Sequence, residues 1–388
     1  MKKIIKNINY KMLCFNCFVI LFIISFVNFK NLNLLRYIVL AFMQIICIFE
    51  IKNKVKINKK NIILLMVLLL SMLFSLFKSN EFKESVLKIA IIVDFLIFCY
   101  ILLPRYLEEF DLHIILKNLL IDICIILFLL FMLFHNDYDF SYDMNRVGNL
   151  IRLRCGLNHP NTLGIFTFIG LLAGIYFISI DNKNKIKYII CMLFLGMILV
   201  KSGARTPLYV LMIFIILYLK DMLIKNSKLK FIIYFLAIGI VVFYILFNGY
   251  TVNDINFDTI NTILSYRLTY IKNAIEKMNE NNTIFTGMGA FRNSMTAATG
   301  AIMLDNGYFN YIYQYGIISF MVLIVVLYNN FKIIKNSTEV YVNKTFIKNM
   351  YIAFLIYSFF ENILFNISSL FAILIYTFIN IMNIKEER

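Results

Sequence analysis

The chain has 388 residues, 61% of them hydrophobic and only three of them proline, with a mean hydropathy of +0.80. This composition excludes a soluble globular domain. The formal net charge of +16 is concentrated on one side of the membrane topology that the loops define, so no nucleic-acid partner is expected.

Apolar runs of about 17–22 residues recur, each long enough to cross a roughly 30 Å hydrocarbon core as a helix. Their length and continuity favour helices over barrel strands, since every backbone group must be satisfied within the span. In chain order the predicted spans are 12–29, 33–50, 61–77, 85–103, 115–134, 161–180, 187–203, 207–223, 231–250, 307–328, 346–365 and 367–384. The first run lacks a small-x-small cleavage site and reads as a retained anchor. Within it, "CFNC" at Cys14–Cys17 has thioredoxin spacing but no βαβ context, so it is discounted. Asp94 and Asp122 fall inside spans four and five; intramembrane carboxylates are functional suspects by default, and here pairing with nearby polar groups is expected. The fold class is an all-α polytopic integral membrane protein. It has about twelve transmembrane helices, and residues 1–388 form a single membrane domain.

Lysine and arginine in the loops orient the spans. The N-terminus, "EIKNKVKINKK", "DNKNKIK", "KDMLIKNSKLK", the 329–349 loop and the C-terminal tail share one face, which holds 24 of the 38 basic residues against 14 on the other. Both termini are therefore expected in the cytoplasm, with large extracytoplasmic loops at about 135–160 and 251–306. The two residue types also sort by side. Of nine arginines, only Arg105 and Arg388 fall inside; Arg36, Arg146, Arg152, Arg154, Arg205, Arg267 and Arg292 fall outside. Arginine grips phosphate or carboxylate with a planar fork, whereas lysine is a point charge suited to anionic headgroups. The outer face is expected to hold an anion, with Arg36 and Arg146 assigned to snorkelling towards lipid phosphates.

Helix starts add to this. Asn158-His159 precedes Pro160, Thr206 precedes Pro207, and Asp305-Asn306 precedes Gly307. Helix N-termini offer unpaired N–H donors and partial positive charge, and proline suits the first helical position. Plain capping is the competing account at each. In the second outer loop, "YIKNAIEKM" places Ile271, Ala274, Ile275 and Met278 on one stripe, which predicts an amphipathic helix. Gly287 and Gly289 of "TGMGAF" allow tight backbone turns of the kind that approach a phosphate. The outer loops carry Asp137, Asp139, Asp143, Asp254 and Asp258, in no metal-ligand spacing.

"RLRCGLNHPNTLG", "VKSGARTPLYVLMIF", "SYRLTYIKNAIEKMNENNTIFTGMGAF" and "DNGYFNYIYQYGIISF" follow one another in an order and spacing that resembles the O-antigen polymerase and ligase superfamily, most closely the Wzy-type repeat-unit polymerases of Gram-positive capsule and exopolysaccharide clusters. The resemblance covers about 150–320. It implies a GT-C-like membrane glycosyltransferase, acting outside the bacterial cytoplasmic membrane on undecaprenyl-diphosphate-linked glycans, with no cofactor or metal, alongside a flippase and a chain-length regulator. It implies that Arg205 and Arg267 hold the diphosphate, with Arg152 or Arg154 as a third cation. His159 and Asn161 match its "HPN" motif, and Asp305 with Asn306 match its "DN" element, where ligases typically carry histidine. That departure leaves two roles open for Asp305, general base or N-cap of the tenth span, with His159 and Glu361 as the other candidates for the base. Glu361, near the outer end of span eleven, is expected to line the same cavity as Arg205. The alternatives are a ligase-type glycan transferase and a lipid-linked oligosaccharide flippase or transporter.

Overall fold

A computed structural model describes residues 2–29, 32–51, 59–79, 81–141, 150–181, 183–223, 267–290 and 305–386. These form twelve helices: α1 (Lys2–Ile24), α2 (Leu32–Glu50), α3 (Lys59–Lys78), α4 (Phe82–Leu107), α5 (Leu112–Phe134), α6 (Pro160–Ile180), α7 (Lys185–Ser202), α8 (Arg205–Leu223), α9 (Arg267–Glu280), α10 (Gly307–Asn336), α11 (Tyr341–Phe360) and α12 (Leu370–Glu386). Six of them, α2 to α6 and α10, are long and apolar enough to cross a membrane. The expected run 231–250, most of the 251–306 loop, and Arg146, Arg292 and Arg388 lie outside the described residues.

The chain departs from a purely helical fold in the 135–160 loop. There β1 (Tyr138–Ser141) and β2 (Leu150–Leu153) pair antiparallel, with Asp139 opposite Arg152. The first helix also stops short of its predicted end. It finishes at Ile24, and Val27 bridges antiparallel to Leu157 while Asn28 N–H donates to Gly156 O at 2.8 Å. Apolarity continues to Phe29, but these backbone groups are used to pin the later loop.

The residues cluster into two compact units: one from Met1–Val55 and Phe98–Leu211, the other from Lys56–Ile97 and Met212–Glu386. In the first, α1 presents a stripe of Phe15, Phe18, Phe22 and Phe26 at helical spacing. Phe22 and Phe26 lie 5.6 Å apart, and Phe26 meets Phe166 of α6 edge-on at 5.4 Å. Helices α6 and α7 pack antiparallel at very short range. A methyl group at Gly164 would sit 2.5 Å from Ala204 Cβ, at Gly170 2.7 Å from Leu195 Cδ1, and at Gly174 2.6 Å from Met192 Cγ. Gly170 and Gly174 form a GxxxG pair, which lets helix backbones approach where no hydrophobic force drives association in lipid.

In the second unit α3 and α10 run antiparallel, joined by Asn329 Nδ2 to Asn61 Oδ1 at 2.9 Å and by the hydroxyls of Ser71 and Ser319 at 3.0 Å. Helix α12 is buried at every residue from Leu370 to Ile384. Its Tyr376 ring is packed by Phe95 at 5.7 Å, Phe354 at 5.4 Å and Phe365 at 5.8 Å. Two of the helix's buried polar side chains bond back within it, Thr377 Oγ1 donating to Ile373 O at 2.7 Å and Asn380 Nδ2 to Tyr376 O at 2.8 Å. Asp122 of α5 is buried, and its Oδ2 has no hydrogen-bond partner among the described residues; the pairing expected of it is not made at that oxygen. Asp94 lies on an exposed face of α4.

Candidate functional site

The hairpin delivers Arg152 and Arg154 to the first unit, and the two do different work. Arg152 Nε donates to Ser202 O at 3.1 Å, and its Nη2 donates to Asn161 Oδ1 at 2.5 Å. It thus joins the C-terminal end of α7, where the helix dipole favours a cation, to the first turn of α6. Gly203 ends α7 in the left-handed conformation (φ 59°), and a side chain there would press on Arg152 Cγ at 3.2 Å. Arg154 instead pairs with Asp137, Nη2 to Oδ1 at 2.7 Å, while Gly156 N–H donates to Asp137 Oδ2 at 2.9 Å. Both carboxylate oxygens are taken. Between them the chain reverses through Cys155 (φ 51°) and Gly156 (φ 76°), with Leu157 N–H donating to Arg154 O at 3.1 Å. Two successive positive φ values are the signature of a type I′ turn. Cys155 is fully buried; burial, then the Asp137 charge, pushes its thiol up to about 12.

Both arginines are internal cross-links in the structure, each with partners inside the protein. His159 and Asn161 follow the same logic. His159 is the N-cap of α6, its Nδ1 accepting Asn161 N–H at 3.0 Å, and Thr162 Oγ1 donates to Asn158 Oδ1 at 3.2 Å. The acceptor role requires an unprotonated Nδ1. Pro160 occupies the first helical position as anticipated. Proline in the next motif does not, because α8 begins at Arg205 and Pro207 is its third residue. The first four N–H groups of a helix have no internal partner, so proline costs nothing there either. Arg205 is half-buried as the opening residue of α8.

In the second unit three chain ends meet. Arg267 opens α9, Asp305 precedes α10, and Glu361 ends α11. Arg267 Nη2 lies 3.5 Å from Asp305 Oδ2 and 3.8 Å from Glu361 Oε1. The Asp305 side chain is 61% exposed, against 21% for Arg267 and 20% for Glu361. Asp305 does not cap α10. That is done by the buried Asn306, whose Oδ1 accepts the N–H groups of Tyr308 and Phe309, each at 3.0 Å. Gly307 is required for close approach, since a methyl group there would lie 2.8 Å from Ser358 O and 3.1 Å from Glu361 O. Tyr308 closes the junction by donating to Leu355 O at 2.9 Å.

The glycines of "TGMGAF" have a partner the sequence did not reveal. Helix α10 is broken at Gly316 (φ 78°, ψ 171°). The groups freed by the break are bonded to residues 284–289. Met288 N–H donates to Tyr313 O at 2.9 Å and Gly289 N–H to Gln314 O at 3.0 Å, while Ile317 N–H donates to Ile284 O at 2.9 Å. Gly287 N–H goes to Thr283 O at 2.7 Å. Gly287 and Gly289 do turn at positive φ, 79° and 78°, but neither amide is left to meet a phosphate. Gly289 is lodged against Ser79 and Ser85, and Ser85 Oγ accepts Ala290 N–H at 2.8 Å. Irregular backbone inside an apolar region survives only when enclosed by protein in this way. The amphipathic α9 packs on the same segment through Ala274 and Met278, which meet Met288 and Tyr313, with Tyr270 alongside. Ile275, expected on that stripe, is exposed. The break was detectable only as an isolated glycine inside a long apolar run; Asp137 gave no signal.

Among the described residues no group of three or more His, Cys, Asp or Glu side chains is arranged to hold a metal ion. No protein-family model matches the chain, and no curated protein matches it.

Proposed function

We propose that the protein is a membrane glycosyltransferase that polymerises undecaprenyl-diphosphate-linked repeat units at the outer face of a bacterial cytoplasmic membrane. In this reading it is a GT-C-like protein of about twelve spans, with both termini cytoplasmic. The observation that carries the reading is the meeting of Arg267, Asp305 and Glu361 at three chain ends, with the arginine 3.5 and 3.8 Å from the two carboxylates. The order of the four sequence motifs supports it independently.

The reaction asks for two things. The acceptor hydroxyl attacks the anomeric carbon of the donor, its proton passes to a base, and the bond from that carbon to the diphosphate oxygen breaks with its electrons leaving on the diphosphate. Arg267 stabilises the charge developing there. Asp305, the exposed carboxylate of the pair, takes the proton. Glu361 balances Arg267 when no substrate is bound. Arg152, Arg154, His159 and Asn161 fix the hairpin and the start of α6.

The test is reconstitution of the purified full chain in liposomes with a lipid-linked repeat unit, followed by gel analysis of chain length. The wild type is expected to give a ladder. Asp305→Asn is expected to leave single units, with a rate about 10²–10⁴ lower and undiminished protein, since Asn306 does the capping. Wild-type ladders from Asp305→Asn would end its role as base, and no ladder from the wild type would overturn the reading.

One observation favours a second reading, a lipid-linked oligosaccharide transporter. Broken helices are a device of transporters, which use the freed backbone groups to hold ions and substrate, and α10 is broken. Here those groups are bonded to residues 284–289, which leaves them nothing to carry. Movement of a labelled lipid-linked glycan across the liposome membrane without polymer would favour the transporter.

A further inference from the structure

Arg36 lies in the first turns of α2 with its guanidinium carbon 3.6 Å from the centroid of the Phe26 ring. Its Nε is buried, and among the described residues it has no hydrogen-bond partner and no carboxylate pairs with the guanidinium. Arg154 and Arg267 also bury an unpartnered Nε, but each has a carboxylate within 4 Å on another nitrogen. Arg152 is held by a carbonyl and an amide oxygen. Of these four described arginines, Arg36 is the one that rests on a ring and not on an oxygen.

A ring beneath the face of a guanidinium attracts the cation but uses none of the donors, which lie in its plane. Those donors match the oxygens of a phosphate. The nearby N-terminal end of α2 adds positive potential. Taking a charge out of water without a partner is costly, so the arrangement calls for an anion from outside the protein. The surroundings identify what kind. Leu34, Tyr37 and Ile38 of α2 and Phe29 of the preceding turn are all exposed, so the anion arrives with an apolar tail. The place matters as well. Phe26 O accepts Asn158 N–H at 2.9 Å, which puts the stack one residue from the His159 cap.

We propose that Arg36 and Phe26 form a binding site for the phosphate of a membrane lipid, with Phe26 holding the guanidinium flat and its fork open. Two sources share this chemistry: a polyprenyl diphosphate and a glycerophospholipid headgroup. Only the first rests on the function proposed above. The site corrects the expectation that Arg36 merely snorkels, because snorkelling needs no aromatic platform.

The chain contains no tryptophan, so Phe26→Trp creates a single fluorescent reporter under the guanidinium. The full chain carrying it is held in micelles of a phosphate-free maltoside detergent, to which either undecaprenyl diphosphate or phosphatidylglycerol is added in graded amounts. A saturable change in emission is expected, lost in Arg36→Gln and shifted to about tenfold higher lipid in Arg36→Lys. A response to undecaprenyl diphosphate at levels where phosphatidylglycerol is inert assigns the site to substrate. A response led by phosphatidylglycerol keeps the site and assigns it to bulk lipid. Emission that neither lipid changes, or that changes equally in Arg36→Gln, overturns the proposal. Native mass spectrometry of retained undecaprenyl diphosphate on wild type and Arg36→Gln measures the same dependence without the reporter. Both are binding measurements, so ladders formed without any Arg36-dependent binding would remove this site and leave the polymerase reading standing.

Discussion

Arg152, in the first unit, donates to Asn161 Oδ1 and Ser202 O at 2.5 and 3.1 Å, whereas Arg267, in the second, stands 3.5 and 3.8 Å from the carboxylates of Asp305 and Glu361. The first arginine ties two helix ends with short bonds to neutral acceptors that hold their positions. The second is balanced by charge at distances beyond a good hydrogen bond. An arginine with fixed short partners acts as a cross-link, and an incoming anion would have to break structure to reach it. An arginine flanked loosely by acids can exchange one of them for a phosphate at small cost. Residue type and position in a motif were alike in the two cases; the partners differ.

The largest effect expected from this contrast is on rate. Arg267→Lys keeps the charge but loses the fork, and polymer formation should fall by about 10²–10³, with the thermal midpoint and protein level unchanged. Chain-length gels read beside quantitative blots measure both. Normal polymer from this variant would make Arg267 a passive counter-charge for two acids.

Arg152→Lys is expected to give the opposite pattern. A lysine cannot serve Asn161 Oδ1 and Ser202 O together in the same geometry, so one acceptor in a half-buried junction goes unpaired, at a cost of about 1–3 kcal/mol. The thermal midpoint in detergent should drop by several degrees, while the rate per folded molecule falls far less than for Arg267→Lys. An unchanged midpoint with lost polymer would erase the contrast and return Arg152 to the chemistry.

The smallest effect comes from an ion pair that involves neither arginine. Between α10 and α11, burial raises the Glu339 carboxyl, but the Lys385 and Asn343 hydrogen bonds outweigh it and hold the group below its ordinary 4.5. A carboxylate depressed in the folded state adds stability that is complete above its unfolded value and is lost as pH falls through the folded one. Midpoints measured from pH 6 downwards should therefore begin to drop near pH 4.5. Glu339→Gln should reduce that slope by about a degree or two. An identical slope in the variant would show that other carboxylates set it.

Composition and hydropathy were enough to establish a helical membrane protein and to locate most helices within a few residues, because apolar runs and helix starts are local properties. Proline at the start of α6 and asparagine at the start of α10 work through atoms two or three residues away. The sequence also marked the arginine-bearing segments, since charge among apolar residues is conspicuous wherever it falls. It did not reveal what each arginine touches. Arg152 finds its acceptor 50 residues on at Ser202, and Ala290 is held 205 residues back by Ser85. Only the tertiary structure decided that Arg152 and Arg154 are cross-links, that Asn306 and not Asp305 caps α10, and that Gly316 breaks that helix to receive residues 284–289. These outcomes depend on which distant backbone groups are left unpaired when the helices pack, and a linear pattern carries no record of that.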